Sequence, residues 1–262
     1  MTYLTLDAQN SAVFDETATP AAIDITTTLD DDIIVVCVVN EFNGGDHPAV
    51  SSIVSSPALT WNERATIPAN FACSTDIWWS HAATAEAYAI TITMNEAVDG
   101  AGIALFALNG TTSLTAPFDG NASMPGHSSP GDNTTSIANL STNSSSGFLI
   151  GLRGTNRNAA DTMPAGWVDT GTWSTSGATF FRGNFGLQAY GSPLSSKTIK
   201  VVNTGVVNDL VVDAIPGTFP PGPPAKPGGG SGFKWWWREK SRLLLPERGL
   251  IIPAYARVAQ WT

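Results

Sequence analysis

The stretch "DDIIVVCVVNEF", residues 31–42, decides the fold class of this chain. Its centre, Ile33 to Val39, is seven consecutive apolar residues, of which six are β-branched and favour an extended backbone. A strand with one face in water alternates apolar and polar residues, whereas a continuous apolar run is typical of a strand buried on both faces. We therefore expect this segment to be a buried strand of a β-sandwich.

The remainder of residues 1–215 also predicts strands, with almost no helical periodicity. Eight further segments combine β-branched or aromatic residues with flanking turn residues: "AAIDITTTL", "STDIWWSHAAT", "AYAITITMNEAV", "AGIALFALNG", "GFLIGLRGT", "ATFFRGNFGLQAY", "KTIKVVNTG" and "NDLVVDAI". Short strands at this spacing favour a single all-β domain, an antiparallel β-sandwich of jelly-roll-like type.

Charge divides the chain into two zones. Residues 1–225 carry 6 Lys/Arg and 20 Asp/Glu, a net charge of −14, while residues 226–262 carry 7 Lys/Arg and 2 Asp/Glu, a net charge of +5. The acidic zone repels nucleic acid, and the basic zone is attracted to an acidic partner. No segment has the roughly 20 apolar residues of a membrane span, and the N-terminus lacks signal-peptide features. We expect no nucleic acid, no membrane, and synthesis in a cytoplasm.

Residues 216–232, "PGTFPPGPPAKPGGGSG", are predicted to be a linker. Proline favours an extended backbone and glycine loosens it, so the linker is stiff first and flexible after. Its proline-rich half alone spans about 20–30 Å. The segment separates the sandwich from whatever residues 233–262 contact.

Residues 233–262 are predicted to be an extended basic arm. Pro246 and Pro253 exclude a long helix, and an extended segment with apolar and arginine side chains docks on another chain. Trp and Arg contribute most to binding energy at interfaces. The predicted contact residues are Trp235, Trp236, Trp237, Arg238, Arg242, Leu243, Leu245, Arg248, Leu250, Ile252, Tyr255, Arg257 and Trp261. The alternative is an arm that packs on its own acidic body.

The sequence offers no catalytic motif. His47, His81 and His127 are isolated, without metal-ligand spacing, and no nucleophile elbow, P-loop or dinucleotide fingerprint occurs. The run Asp30–Asp32 fits either a calcium site or, as we favour, a charged turn before the buried strand. We therefore predict a protein that is not an enzyme and uses no cofactor or metal.

Two cysteines are present, Cys37 and Cys73. Cys37 lies inside the buried strand, which favours a reduced core thiol over a disulfide.

Aromatic side chains outside the core are candidates for stacking on sugars. Trp78 and Trp79 are adjacent in a predicted strand, so that one should face the core and the other the outside. The outward residue, taken as Trp79, is grouped with Trp167 and Trp173 as a glycan-binding set.

The order "DDIIVVCVV", "AVSSIVSSPALTWNERAT", "STDIWWSHAATAEAYAITITMNEAVDGAGIALFALNG" and "NDLVVDAI" resembles a jelly-roll-like sandwich domain of tailed-bacteriophage structural proteins and some bacterial surface proteins. The arm is similar to those of small head proteins of tailed phages, which repeat R-x-L-x-V-P-A-E-x-R; here "RLLLPE" and "LIIPAYAR" stand at 242–247 and 250–257. The family motifs are structural, and no catalytic residue carries over.

These resemblances imply a virion protein made in the host cytoplasm. It would be a capsid decoration protein or head fibre whose arm binds the major capsid protein or another virion subunit. A second copy of the chain is a further expected partner, in a homo-oligomer. The alternative is a carbohydrate-binding host-recognition module of a phage tail or fibre.

Overall fold

The computed structural model describes residues 3–15, 21–41, 48–68, 73–128, 135–155, 163–174, 182–202 and 208–219. The chain divides into two compact units, Met1–Phe219 and Pro220–Thr262, and the second unit lies outside the described residues. The described part contains strands and no helix, in antiparallel sheets. The predicted all-β antiparallel sandwich is thereby confirmed.

Fifteen strands are present in the described part of the chain. In chain order they are β1 (Thr5–Asp15), β2 (Ala21–Thr26), β3 (Asp32–Glu41), β4 (Val50–Ser56), β5 (Asn62–Pro68), β6 (Cys73–Ala82), β7 (Ala87–Met94), β8 (Gly100–Asn109), β9 (Gly126–Ser128), β10 (Thr135–Leu140), β11 (Gly147–Thr155), β12 (Val168–Ser174), β13 (Arg182–Tyr190), β14 (Lys197–Val202) and β15 (Asn208–Pro216).

The strands form four sheets. The first inner sheet has the order β1-β8-β3-β6-β5, and the first outer sheet has the order β2-β7-β4. The second inner sheet has the order β9-β15-β11-β13-β12, and the second outer sheet pairs β10 with β14. Strands β1 to β8 supply the first two sheets and β9 to β15 the others, so each half of the body builds its own sandwich.

Three apolar clusters separate the four sheets. The first outer core lies between the first outer and first inner sheets and contains Ile23, Ile90 and Ile34. The central core lies between the two inner sheets, and the second outer core lies between the second inner sheet and β10-β14. The body is therefore two sandwiches packed face to face through the central core.

The quoted stretch forms β3, the middle strand of the first inner sheet. Ile33, Val35 and Cys37 point into the central core, while Ile34 and Val36 point into the first outer core. All five side chains are fully buried. A continuous apolar run is what this position requires, because both faces of the sheet are covered.

Cys37 is a free, buried thiol, and burial raises its pKa well above the ordinary value. The register of β3 with β6 places Cys37 opposite Ile77 and Cys73 opposite Glu41. Four residues along a strand separate the two cysteine backbones by roughly 13 Å. A disulfide requires Cα atoms within about 7 Å, so this register keeps the two apart.

The two halves repeat one topology. Strands β1, β2, β3, β5, β6, β7 and β8 correspond in sequence order and sheet position to β9, β10, β11, β12, β13, β14 and β15, and β4 is an addition to the first half. The correspondence extends to local detail. A register shift in β5 falls between Glu63 and Ala65, and one in β12 falls between Asp169 and Gly171. Trp61 and Trp167 stand two residues before these shifts.

The folded body extends to Phe219. Pro216 ends β15, Gly217 bridges to Thr111, and the Leu4 amide donates to the Thr218 carbonyl at 2.7 Å. The ring of Phe219 packs edge-on against Phe148, with centroids 5.4 Å apart.

Candidate functional site

An open cleft of about 610 Å³ lies at the edge of the first sandwich. It is formed by the β4–β5 connection, the end of β6, the β6–β7 connection and the segment after β8. Its lining residues are Pro57, Ala58, Leu59, Thr60, Asn62, Trp79, His81, Ala83, Thr84, Glu86, Tyr88, Leu114 and Thr115. The lining combines the aromatic Trp79 and Tyr88 and several apolar residues with polar ones. Small-molecule sites are lined mainly by apolar and aromatic side chains, and a few polar groups fix the orientation of the ligand.

The sheet register aligns three of these side chains. Asn62 of β5 is the direct cross-strand partner of Trp79 of β6, and His81 follows two residues later on the same face. Trp79 is half-buried and packs against the central core, whereas Asn62 is exposed. The cleft therefore borders the central core through Trp79, and its described lining residues all belong to the first half of the body.

His81 is oriented by an aspartate outside the cleft. Its Nε2 lies 3.0 Å from Oδ1 of Asp31. Because an ionised carboxylate can only accept a hydrogen bond, this contact places the proton on Nε2. In the neutral imidazole, Nδ1 then remains as an acceptor for a ligand.

The connection carrying Glu86 is held by hydrogen bonds. The Glu86 amide donates to the Thr27 hydroxyl at 3.0 Å, and the Thr27 amide donates to the Glu86 carbonyl at 3.0 Å. The Tyr88 hydroxyl donates to the Thr84 carbonyl at 2.8 Å. These bonds fix the backbone and leave the exposed carboxylate of Glu86 at the cleft.

The three aspartates of residues 30–32 form hydrogen bonds with residues around this cleft. Asp30 accepts a hydrogen bond from the backbone amide of Ala85 at 2.8 Å, the Asp31 carboxylate contacts the His81 imidazole, and Asp32 accepts from the side-chain amide of Asn109 at 2.9 Å. No group of three potential metal ligands occurs in the described ranges. These contacts agree with the charged-turn interpretation.

The tryptophan pair differs from the sequence expectation. Trp78 packs against the first outer core and Trp79 against the central core, and both are half-buried. Neither side chain is simply inward or outward, because the first inner sheet is covered on both faces. The sequence signal for the cleft was present only in part: Trp79 was singled out, but Asn62, His81 and Glu86 were not.

The predicted glycan-binding set is not assembled in one place. Trp167 packs against the second outer core and covers Gly151, where an added Cβ would lie 2.6 Å from the ring. Trp79 lies on the opposite side of the second inner sheet, so these two residues belong to different surfaces. Trp173 occupies β12 opposite Gly183, and its side chain lies outside the described residues.

Buried carboxylates connect the two halves across the central interface. Arg64 of β5 donates from Nε to Asp213 of β15 at 2.9 Å and from Nη2 at 3.3 Å, and it stacks over Phe118. Burial raises the pKa of Asp213, and the hydrogen bond and charge of Arg64 oppose that rise. Thr75 of β6 donates to Asp209, also on β15, at 3.0 Å.

His127 also contacts Asp209, with Nε2 2.8 Å from Oδ1. The carboxylate is buried and the imidazole is partly exposed. With Thr75 on the other carboxylate oxygen, this group ties the edge strand β9 to β15 and β6. In the sequence His127 is an isolated histidine, because its partner Asp209 lies 82 residues away.

Asp119 organises the loop before β11. It accepts hydrogen bonds from the amides of Asn121, Asn143 and Ser144 and from the Ser144 hydroxyl. Burial alone would raise the pKa of Asp119, but these donors outweigh it and lower the pKa. The carboxylate is therefore a structural loop anchor.

The predicted linker beyond Phe219 and the whole predicted arm, including all its contact residues from Trp235 to Trp261, lie outside the described residues. Within the described ranges, no helix is long and apolar enough to cross a membrane. Searches against protein-family models, curated proteins and solved structures find no match for this chain.

Proposed function

We propose that this chain is a non-enzymatic structural protein of a phage virion, of the capsid decoration or head fibre type. The arm, residues 233–262, anchors it to the major capsid protein or another virion subunit, and the sandwich faces solvent. It is made in the host cytoplasm and acts in the virion.

One contrast in the chain supports this proposal above all. The body carries a net charge of −14, whereas the segment after it carries +5 together with four tryptophans. The described contacts of the body include the hydrogen bond from Leu4 to Thr218 and the ring contact of Phe148 with Phe219, and the prolines and glycines of residues 220–232 follow in the sequence. A basic, aromatic segment that follows an acidic body in the sequence is suited to bind a second, acidic surface.

The test is co-sedimentation with empty shells assembled without this protein. The full chain is compared with a variant that ends at Phe219, which keeps the contacts of Phe148 and Leu4. We expect the full chain to sediment with the shells and the truncated chain to stay in the supernatant, with unchanged β-sheet circular dichroism.

Two charge-reversal variants separate the role of the arm from that of the body. Replacing Arg238, Arg242 and Arg248 by Glu reverses three charges that are predicted to contact the shell and should weaken sedimentation at least tenfold. The matched control replaces Lys197 and Lys200 of β14 by Glu, which reverses charges on the body, and it should leave sedimentation with the shells unchanged. Equal sedimentation of full and truncated chains, or sedimentation of neither, would refute the anchor.

A carbohydrate-binding module of a phage tail or fibre is the second candidate. The cleft around Trp79 favours it specifically, because that site combines an aromatic ring with amide, imidazole and carboxylate groups. The two functions are compatible in one chain, since they use different segments.

A further inference from the structure

We infer that the cleft around Trp79 binds a short, uncharged oligosaccharide. The inference develops the carbohydrate-binding candidate and is independent of the arm. It rests on the cleft's volume, on the aligned side chains of its floor, and on the charge around it.

The volume and form of the cleft suit several sugar rings. At about 610 Å³ it falls within the roughly 300–1,000 Å³ of small-molecule sites. It is open to solvent rather than enclosed, so a ligand longer than one ring can extend beyond it. An enclosed pocket would instead select a single small molecule.

The floor of the cleft offers the two surfaces that a sugar ring needs. A pyranose has apolar C–H faces, which pack against an aromatic ring, and hydroxyl groups around its edge. Trp79 supplies the aromatic surface, and Asn62 lies directly beside it across the strand pair. The amide both donates and accepts hydrogen bonds, as a sugar hydroxyl does.

Further polar groups at the cleft extend this match. His81 adds an imidazole whose Nε2 lies 3.0 Å from Oδ1 of Asp31, which fixes the orientation of the ring. Glu86 adds a carboxylate acceptor on a hydrogen-bonded connection, and Thr84 and Thr115 add hydroxyl groups. These groups are placed by sheet register and backbone hydrogen bonds, so little ordering is required on binding.

Charge decides between neutral and anionic saccharides. Among the described lining residues, Glu86 is the one acidic residue, and none is a lysine or arginine. The body around it is strongly acidic. A uronic acid, sialic acid or phosphate group would meet like charge here, which disfavours anionic glycans.

The experiment is binding of the full chain to an immobilised panel of neutral and anionic oligosaccharides, followed by calorimetric titration of the strongest ligand. The neutral probes are chito-, cello-, malto- and xylo-oligosaccharides, and the anionic probes are oligogalacturonate and oligosialate. We expect at least one neutral probe to bind, and the anionic probes to bind at least tenfold more weakly.

Point variants test whether the cleft is the site. Asn62→Ala and Glu86→Ala change exposed side chains and should each lower affinity by roughly tenfold. Trp79→Phe keeps an aromatic ring and should weaken binding less than Trp79→Ala. Asn139→Ala, an exposed asparagine on β10 in the other half, is the matched control and should bind normally.

Three results would overturn the inference: no neutral probe bound, anionic probes bound equally well, or unchanged affinity in Asn62→Ala and Glu86→Ala. Specific binding of an unstructured peptide with the same variant profile would assign the cleft to peptide instead. None of these results affects shell sedimentation, so a failure here is distinct from a failure of the anchor.

Discussion

Arg64 of β5 and Asp213 of β15, 149 residues apart in sequence, form a two-point ion pair across the interface between the two sandwiches. The aspartate side chain is fully buried and the arginine is about one quarter exposed. Because the two strands belong to different halves, the pair fixes how the inner sheets align on each other.

We expect Arg64→Met to destabilise the body by about 2–4 kcal/mol, because it leaves a buried carboxylate without its partner. Asp213 then takes up a proton more readily, so the loss should be smaller at low pH. Asp213→Asn added to Arg64→Met should recover part of the stability. Urea unfolding of the two single variants and the double variant measures this coupling, and additive losses would show that the pair is not coupled.

The buried carboxyl group of Asp32 should make the free energy of unfolding depend on pH. Burial raises its pKa to about 7, the Asn109 hydrogen bond opposes the rise, and the neighbouring Asp7 carboxylate adds to it. An acid whose pKa is higher in the folded than in the unfolded state destabilises the fold as pH increases between those two values. Ionisation of Asp32 therefore costs no stability below about pH 4, and its destabilising effect grows as pH rises to about 7.

Asp32→Asn should remove this penalty and stabilise the protein at pH 8 by on the order of 2 kcal/mol, with little effect at pH 4. The measurement is the free energy of unfolding of both proteins from pH 4 to pH 8. Asp24→Asn, which changes an exposed carboxylate on β2, is the control. If the Asp32 variant follows the wild-type pH profile, the carboxyl group is not the source of the penalty.

Gly147 tests the close approach of β11 and β15. A Cβ at this position would overlap the Ile215 carbonyl oxygen, which belongs to the backbone and cannot rotate away. We expect Gly147→Ala to cost at least about 2 kcal/mol of stability.

Gly120→Ala is the matched control, because the nearest atom to its added Cβ is a side-chain nitrogen of Asn143 at 3.9 Å. Its effect should remain within about 0.5 kcal/mol. Thermal unfolding measures the melting temperatures of Gly147→Ala and Gly120→Ala. Equal melting temperatures for the two variants would contradict the predicted overlap at Gly147.

The fold class was predictable because it depends on local pattern. The run from Ile33 to Val39 predicted a doubly buried strand, and β3 is one. The repeat of the two halves was not predicted, because corresponding strands share position and burial rather than residues: "DIIVVCVVNE" forms β3, and "GFLIGLRGT" forms β11.

The site was predictable only where one residue type carries the signal. Trp79 stands out in the sequence, but its neighbours are determined by the register of β5 on β6, including the shift between Glu63 and Ala65. The partners of Asp213 and Asp209 depend on how the two halves pack, which no spacing along the chain records. Trp78 and Trp79 point to opposite faces of β6, as the sequence indicates, but each packs against an apolar core because both faces of the first inner sheet are covered.

The two-half architecture also sets an order of assembly during synthesis. All partners of β3 lie within the first 109 residues, so the first sandwich can close as soon as β8 has left the ribosome. At that moment Ile33, Val35 and Phe106 have no covering sheet, because β11, β13 and β15 have not yet been made. The nascent chain thus exposes the apolar face of the first inner sheet until roughly another hundred residues have been translated. A chaperone would be of most use during this interval.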